Sequence, residues 1–265
     1  MPDIKLVATD MDGTFLQEDG SFDEERLHRL LRAYKRQGKL FTVASGRSML
    51  ALKKIFAGFE HDMAFVAENG SFVQYDGQVL FEAQMDEAFY MRIAQQLDVL
   101  PDMTGYLLSG RKGAYTLESS SPDYIEFVKH YYENVQPVDS LADLDDDIFK
   151  ITVNFTQKTV ADRESWLNEH LSGAIALTTG FKSVDIILLD VDKSTGLKSM
   201  CQELGIEASQ VIAFGDNMND YQMMQFAGTA IATANARQEI KDLANEVIGH
   251  CNDQAVISYM EGLIE

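Results

Sequence analysis

Four short segments carry the side chains that could do chemistry: Asp10-Met11-Asp12-Gly13-Thr14, Ser45-Gly46-Arg47, the neighbourhood of Lys193, and Gly215-Asp216-Asn217-Met218-Asn219-Asp220. Four carboxylates, Asp10, Asp12, Asp216 and Asp220, dominate the set. Packed together they would repel unless protonated or bound to a cation. An all-oxygen donor set with no His or Cys beside it suits a hard cation. Mg²⁺ fits best, because it uses few carboxylates and keeps positions open for water and a phosphate oxygen. Ser45 and Lys193 add the hydroxyl and the ammonium that an anionic oxygen needs.

These segments must be brought together by elements that end at one place. Ile4 to Thr9 reads as a buried strand running straight into Asp10. Ser21-Phe22-Asp23-Glu24 has capping-box spacing, and Leu27, Leu30, Leu31 and Tyr34 then form one apolar helical face that stops at Gly38. Leu40 to Ala44 is a second strand, breaking at Ser45-Gly46-Arg47; Met63 to Ala67 is a third, ending in Glu68-Asn69-Gly70. Near the C-terminus a helical face (Leu197, Met200, Cys201, Leu204) precedes the strand Val211 to Phe214, which runs into Gly215-Asp216. Thr229 to Ala232 is another short strand, and helices from Gln238 and after Asp253 close the chain. Strands alternating with helices predict an α/β, Rossmann-like parallel sheet with right-handed crossovers. Ligands of such sheets sit outside the carboxyl ends of the strands, where all four segments fall.

The middle of the chain differs. Three of the four prolines and the only tryptophan lie between residues 86 and 185. A helix (Phe89, Ile93, Leu97), a hairpin (106–108 with 114–117), a helix (Tyr124, Phe127, Val128, Tyr131), an alternating strand from Phe149 to Phe155, a helix and two strands are expected there. This is too long for a loop. The predicted organisation is a core of 1–85 and 186–265 with an inserted α/β cap of 86–185. The acidic run Asp143 to Asp147 reads as a solvated turn.

Composition limits the partners. With 22 Lys plus Arg against 42 Asp plus Glu, the formal charge is -20, so binding a nucleic acid or an anionic membrane surface is disfavoured. No run of about 18 apolar residues is present to span a bilayer, and charges at Asp3, Lys5 and Asp10 interrupt any signal-peptide pattern. A cytoplasmic protein, monomeric or weakly homo-oligomeric, is expected. Five scattered histidines lack zinc-ligand spacing, and neither a GxGxxG nor a Walker lysine motif occurs.

The stretch Asp10-Met11-Asp12-Gly13-Thr14-Phe15-Leu16 resembles the DxDGT signature of the haloacid-dehalogenase-like phosphohydrolases. Ser45, Lys193 and Gly215 to Asp220 match that superfamily's second, third and fourth motifs in order, and the insertion is similar to the α/β cap of its Cof-type subfamily. Asn235-Ala236 and the Ile240-Lys241-Ala244 pattern also resemble that subfamily, and the cap stretches 114–115, 130–132 and 149–150 are similar to those of bacterial Cof-type sugar phosphatases. The resemblance implies that Asp10 is the nucleophile and Asp12 the general acid and base. It implies Mg²⁺ held by Asp10, Asp216 and the Asp12 carbonyl, with Ser45, Gly46, Lys193 and Asn219 on the phosphoryl oxygens. Asp220, Arg47 and Asn69 would support the site. The expected reaction is hydrolysis of a small phosphomonoester, best a sugar phosphate, through an aspartyl-phosphate. Flavin mononucleotide, pyridoxal phosphate and nucleotides are alternative substrates. A phosphomutase on the same core is another possibility; Asp12 speaks against a dehalogenase. A phospho-accepting regulatory module would be about half this length and would lack the second carboxylate.

Overall fold

A computed structural model describes residues 3–156, 160–179 and 182–264. Its elements begin with β1 (Leu6–Thr9), α1 (Glu24–Arg36), β2 (Leu40–Ala44), α2 (Met49–Ile55), β3 (Ala64–Ala67), β4 (Phe72–Tyr75) and β5 (Gln78–Glu82). There follow α3 (Glu87–Leu97), β6 (Met103–Gly110), β7 (Ala114–Leu117), α4 (Pro122–Val128), β8 (Val135–Val138), β9 (Ile148–Phe155), α5 (Val160–His170), β10 (Ala174–Thr178) and β11 (Ser183–Leu188). The chain closes with α6 (Lys193–Leu204), β12 (Val211–Gly215), α7 (Tyr221–Phe226), β13 (Thr229–Ala232), α8 (Gln238–Leu243), β14 (Glu246–Val247) and α9 (Ala255–Glu261).

Residues up to 47, 55–82 and 192–265 form one compact unit, and 48–54 with 83–191 form another. In the first, the strands lie in the order β14-β13-β12-β1-β2-β3-β4-β5. β1 is buried at every position, as a strand covered on both faces must be. Leu6, Ala8, Ala44 and Ala213 on one face pack with Leu197, Met200, Met223 and Ile240 from α6, α7 and α8. Elsewhere in the unit an aromatic cluster of Phe15, Phe22, Phe41, Phe56 and Phe65 fills the core, and the Tyr34 hydroxyl of α1 donates to the Met260 carbonyl of α9 at 3.0 Å. The sheet is parallel from β14 to β3, as the strand–helix alternation predicts, but β4 and β5 add an antiparallel hairpin at its edge. The sequence carries the signal for that hairpin in Asp76-Gly77, whose φ values of 46° and 75° are those a tight hairpin turn requires.

The second unit has its own sheet, β10-β11-β9-β6-β7-β8, antiparallel except between β7 and β8. One face packs Tyr106, Leu108, Ile151, Val153 and Ile186 with Ile93 and Leu97 of α3 and Leu167 of α5. Its boundary lies at 191/192 rather than 185/186, because β11 continues to Leu188, which pairs with Ala174 of β10. Residues 48–54 also group with this unit, which the sequence pattern does not foretell.

Three local expectations change. The cap of α1 is Asp23, whose carboxylate accepts the Arg26 amide at 2.9 Å; Ser21 instead bonds Asp19. Tyr124 and Val128 are buried as the helical spacing requires, but α4 ends at Val128 and leaves Phe127 38% and Tyr131 65% exposed. The acidic run is not merely solvated: Asp147 takes Arg111 Nε at 2.7 Å, and Asp146 accepts the Lys112 amide and the Tyr115 hydroxyl.

Candidate active site

Asp10 stands immediately beyond the carboxyl end of β1, 6% exposed, with its amide donating to the Phe214 carbonyl of β12 at 3.0 Å. This bond ties the first motif to the strand that carries the fourth. The chain then turns sharply through Met11, whose carbonyl accepts the amides of Thr14 and Leu16. Gly13 makes the turn possible. It has φ 84°, and a Cβ there would lie 2.7 Å from Asp216 Oδ2. The Thr14 hydroxyl donates to Asp216 Oδ1 at 2.8 Å, and Asn235 Nδ2 donates to the Gly13 carbonyl at 2.6 Å. The DxDGT turn is therefore fitted around Asp216 and pinned from behind by Asn235.

Lys193 opens α6 and is 1% exposed. Asp192 caps the helix, accepting the Thr195 amide at 2.9 Å. Gly70 lets this helix start approach the 68–70 turn: a Cβ on Gly70 would fall 1.9 Å from the Asp192 carbonyl oxygen. From this position Lys193 Nζ donates to Asp10 Oδ1 and, at 2.7 Å, to Asp220 Oδ1. The other oxygen of Asp220 accepts the amides of Asp216 and Asn217, each at 3.0 Å. Asp220 is thus fully engaged: it folds the 216–220 turn and orients the lysine.

The electrostatics are unbalanced. Carboxylate oxygens of Asp10, Asp216 and Asp220 all lie within 4.8 Å of one another, and Lys193 supplies one ammonium to the group. Burial and then the charge of Asp220 raise Asp10 well above the usual carboxylate range, against the pull of Lys193. Burial and Asp220 likewise push Asp216 up to about 6. Burial alone would lower the Lys193 ammonium, but Asp10 and Asp220 outweigh it and raise it, so the lysine is firmly charged. A hard divalent cation beside Asp10 and Asp216 relieves this excess of negative charge, and the donors present are all oxygens.

Asp12 points elsewhere. Its two oxygens take Arg47 Nε at 2.9 Å and Nη2 at 2.7 Å, a two-pronged pair with side chains 58% and 40% exposed. Its carboxylate is not among the clustered three, so any part it takes in holding a metal falls to its main chain. Ser45 is buried, and its hydroxyl accepts the Arg47 amide at 3.1 Å. The loop is held by Glu68 and Asn69, both in left-handed backbone conformations, whose amides donate to the carbonyls of Arg47 and Ser45. Asn69 is buried, and a Cβ on Gly46 would meet its Oδ1 at 2.9 Å, so its place is beneath the Gly46 loop. Asn219 is half-buried in the 218–220 turn. Asp10, Lys193, Asp216 and Asp220 therefore converge, and Ser45, Gly46 and Arg47 form a loop, braced by Asn69 of the 68–70 turn, whose Arg47 pairs with Asp12. Thr14 and Asp192 were not singled out by sequence; Thr14 sits inside the DxDGT motif, and Asp192 shows itself as a helix cap three residues before Thr195.

With this geometry in view, comparison with known proteins is decisive. The haloacid dehalogenase-like hydrolase family matches residues 7–260. The chain belongs to the haloacid dehalogenase-like hydrolases. A 5-amino-6-(5-phospho-D-ribitylamino)uracil phosphatase of Escherichia coli (strain K12) is 30% identical over 263 residues, covering 99% of this chain and 97% of that one. An HMP-PP phosphatase of Citrobacter koseri is 27% identical, covering 97% and 94%. A crystal structure from Streptococcus mutans UA159 superposes with a TM-score of 0.89 at 26% identity, over 98% of each chain. This haloacid dehalogenase-like hydrolase has no helix, among its described residues, long and apolar enough to cross a membrane.

Proposed function

We propose that this hydrolase is a cytoplasmic, Mg²⁺-dependent phosphatase of small phosphomonoesters, sugar phosphates foremost, working through an aspartyl-phosphate on Asp10. The carrying observation is the buried Asp10 carboxylate, held by Lys193 within a cluster of three carboxylates. Its relatives include phosphatases of small phosphorylated metabolites, in line with the reading.

In this reading Asp10 attacks phosphorus in line with the leaving oxygen. Asp10 and Asp216 carboxylates and the Asp12 carbonyl would hold Mg²⁺, which when bound neutralises charge on a phosphoryl oxygen. Lys193, Ser45, the Gly46 amide and Asn219 hold the remaining phosphoryl oxygens as charge spreads over them. Asp12 protonates the leaving oxygen and then takes the proton of the attacking water. Residues of the second unit select among leaving groups.

Asp12 supplies the test of the acid role. A sugar leaves as an unstable alkoxide and needs a proton, whereas p-nitrophenolate does not. Asp12→Ala is expected to slow phosphoenzyme formation by roughly 10²–10⁴-fold with a sugar phosphate and far less with p-nitrophenyl phosphate. Rapid-quench measurement of the first turnover reads this directly. Equal slowing with both substrates would leave Asp12 without the role of acid.

The Arg47–Asp12 pair gives a second expectation. Exposed pairs contribute about 0–1 kcal/mol, so Arg47→Ala should barely move the thermal midpoint. It should nonetheless lower kcat/KM on the order of tenfold, because Asp12 loses the group that orients it. Arg47→Lys, which keeps the charge but not the two-pronged geometry, should recover part of the loss. Unchanged kcat/KM in a folded Arg47→Ala protein would remove Arg47 from the site.

A further inference from the structure

One more loop at the strand ends touches both of the motifs that carry the clustered carboxylates. After β13 the chain turns through residues 233–237, with the Ala236 amide donating to the Thr233 carbonyl at 3.0 Å. From this loop Asn235 Nδ2 donates to the Gly13 carbonyl at 2.6 Å and the Thr233 hydroxyl donates to it at 3.4 Å, so both lone pairs of that oxygen are used. The Arg237 amide donates to the Asp216 carbonyl at 2.9 Å. A single loop therefore grips the turn after Asp12 and the main chain of Asp216.

The loop is itself anchored. The Ala234 amide donates to the Gly249 carbonyl at 3.1 Å, and Asn235 Oδ1 accepts the Cys251 amide at 3.1 Å. The same 250–252 turn holds the far end of the first motif. There Asn252 Oδ1 accepts the Glu18 amide at 2.8 Å, and its Nδ2 donates to Glu18 Oε2 at 3.1 Å. Asn235 thus uses both ends of its side-chain amide, one on Gly13 and one on the 250–252 turn, although the residue is exposed. Gly13 needs such a grip. Without a Cβ it moves readily among backbone conformations, so its φ of 84° is kept by what its neighbours bond. A change there would swing the Asp12 carbonyl on one side and, on the other, the Thr14 hydroxyl that donates to Asp216 Oδ1.

We propose that Asn235 is a positioning residue of this site: it fixes the DxDGT turn against Asp216 and so sets the spacing of the oxygens offered to a divalent cation. The inference rests on the phosphatase reading above. It gives Asn235 no contact with substrate, and its action passes through the Gly13 carbonyl.

The test uses the full chain, with Mg²⁺ binding measured by calorimetry in the absence of substrate and turnover measured on p-nitrophenyl phosphate. In Asn235→Ala the Kd for Mg²⁺ is expected to rise about tenfold, and kcat at a fixed Mg²⁺ concentration to fall about tenfold. KM should change less than about threefold, because no contact with substrate is lost. The thermal midpoint should stay within about 4 °C of wild type, since exposed hydrogen bonds contribute little net stability. Asn235→Asp keeps the acceptor for the Cys251 amide but sets a carboxylate oxygen, in place of the donor, against the Gly13 carbonyl. Its kcat should fall at least as far as that of Asn235→Ala. A wild-type kcat in Asn235→Asp would move the effect to the 250–252 turn and overturn the proposal. Unchanged Mg²⁺ affinity or unchanged kcat in Asn235→Ala, or a loss carried by KM alone, would do the same. If Asn235→Ala fails to fold, Asn235→Asp decides alone. Should the wild type bind Mg²⁺ and hydrolyse p-nitrophenyl phosphate while both variants match it, only this inference falls. A wild type that neither binds Mg²⁺ nor hydrolyses any phosphomonoester removes the phosphatase reading and the inference with it.

Discussion

Asp10→Asn is expected to stop turnover of every substrate and to form no phosphoenzyme. The amide is too weak a nucleophile to attack phosphorus, and no other side chain in the cluster can replace it. Asp216 is tied to Thr14, and Asp220 has both oxygens occupied by Lys193 and two main-chain amides. The fold should survive, because the substitution is nearly isosteric and removes one of three mutually repelling carboxylates. Steady-state phosphate release together with a thermal melt checks both halves. Residual activity above about a thousandth of wild type in clean Asp10→Asn protein would point to another nucleophile.

Metal removal should have an effect of the same size. Two buried carboxylates and a half-buried one share one ammonium, and a phosphate dianion must still approach them in a protein of formal charge -20. Exhaustive chelation is expected to abolish hydrolysis and Mg²⁺ to restore it, with Ca²⁺ a poor substitute because its looser coordination misplaces the nucleophile. The same cluster predicts a pH dependence of stability. Asp216 is raised from its ordinary 3.8 to about 6, so between those values the folded chain holds more protons than the unfolded one. These groups therefore cost the metal-free fold stability as pH rises through that window. Mg²⁺ should accordingly raise the thermal midpoint more at about pH 7.5 than at about pH 5, where protons compete for the same oxygens. Full activity after chelation, or a midpoint shift larger at the lower pH, would contradict this.

Much of the site could be read from sequence because its parts are strand ends. Asp10 follows a fully buried strand, Asp216 follows another, and the sheet rule puts both on one rim. Lys193 owed its place to motif order; nothing in the segment 189–194 by itself separates it from a solvated lysine at a helix start. Side-chain direction was less legible. The DxD spacing suggests that Asp10 and Asp12 reach one substrate together, yet Asp12 turns to Arg47, a choice made by a loop that Glu68 and Asn69 hold from another strand end. Asn69 reads as a turn residue and is in fact the buried support of Gly46. The buried polar side chains of β9 were hidden for a different reason. Alternation along β9 showed a strand with two faces, but only the neighbouring strand shows that Lys150 meets Asp185. Tyr131, read as part of an apolar helix face, is exposed, whereas the Tyr132 hydroxyl lies 2.6 Å from that of Thr152.

The covalent intermediate is the centre of the account, and one measurement reaches it most directly. Asp12→Ala protein, mixed with Mg²⁺ and excess p-nitrophenyl phosphate and quenched in acid within the first turnover, should release a burst of p-nitrophenol equal to the enzyme present. Its intact mass should rise by one phosphoryl group, and peptide mapping should place that group on Asp10, because the step that needs Asp12 as base has been slowed. A burst with no added mass, or a phosphoryl group found on any residue other than Asp10, would contradict the mechanism.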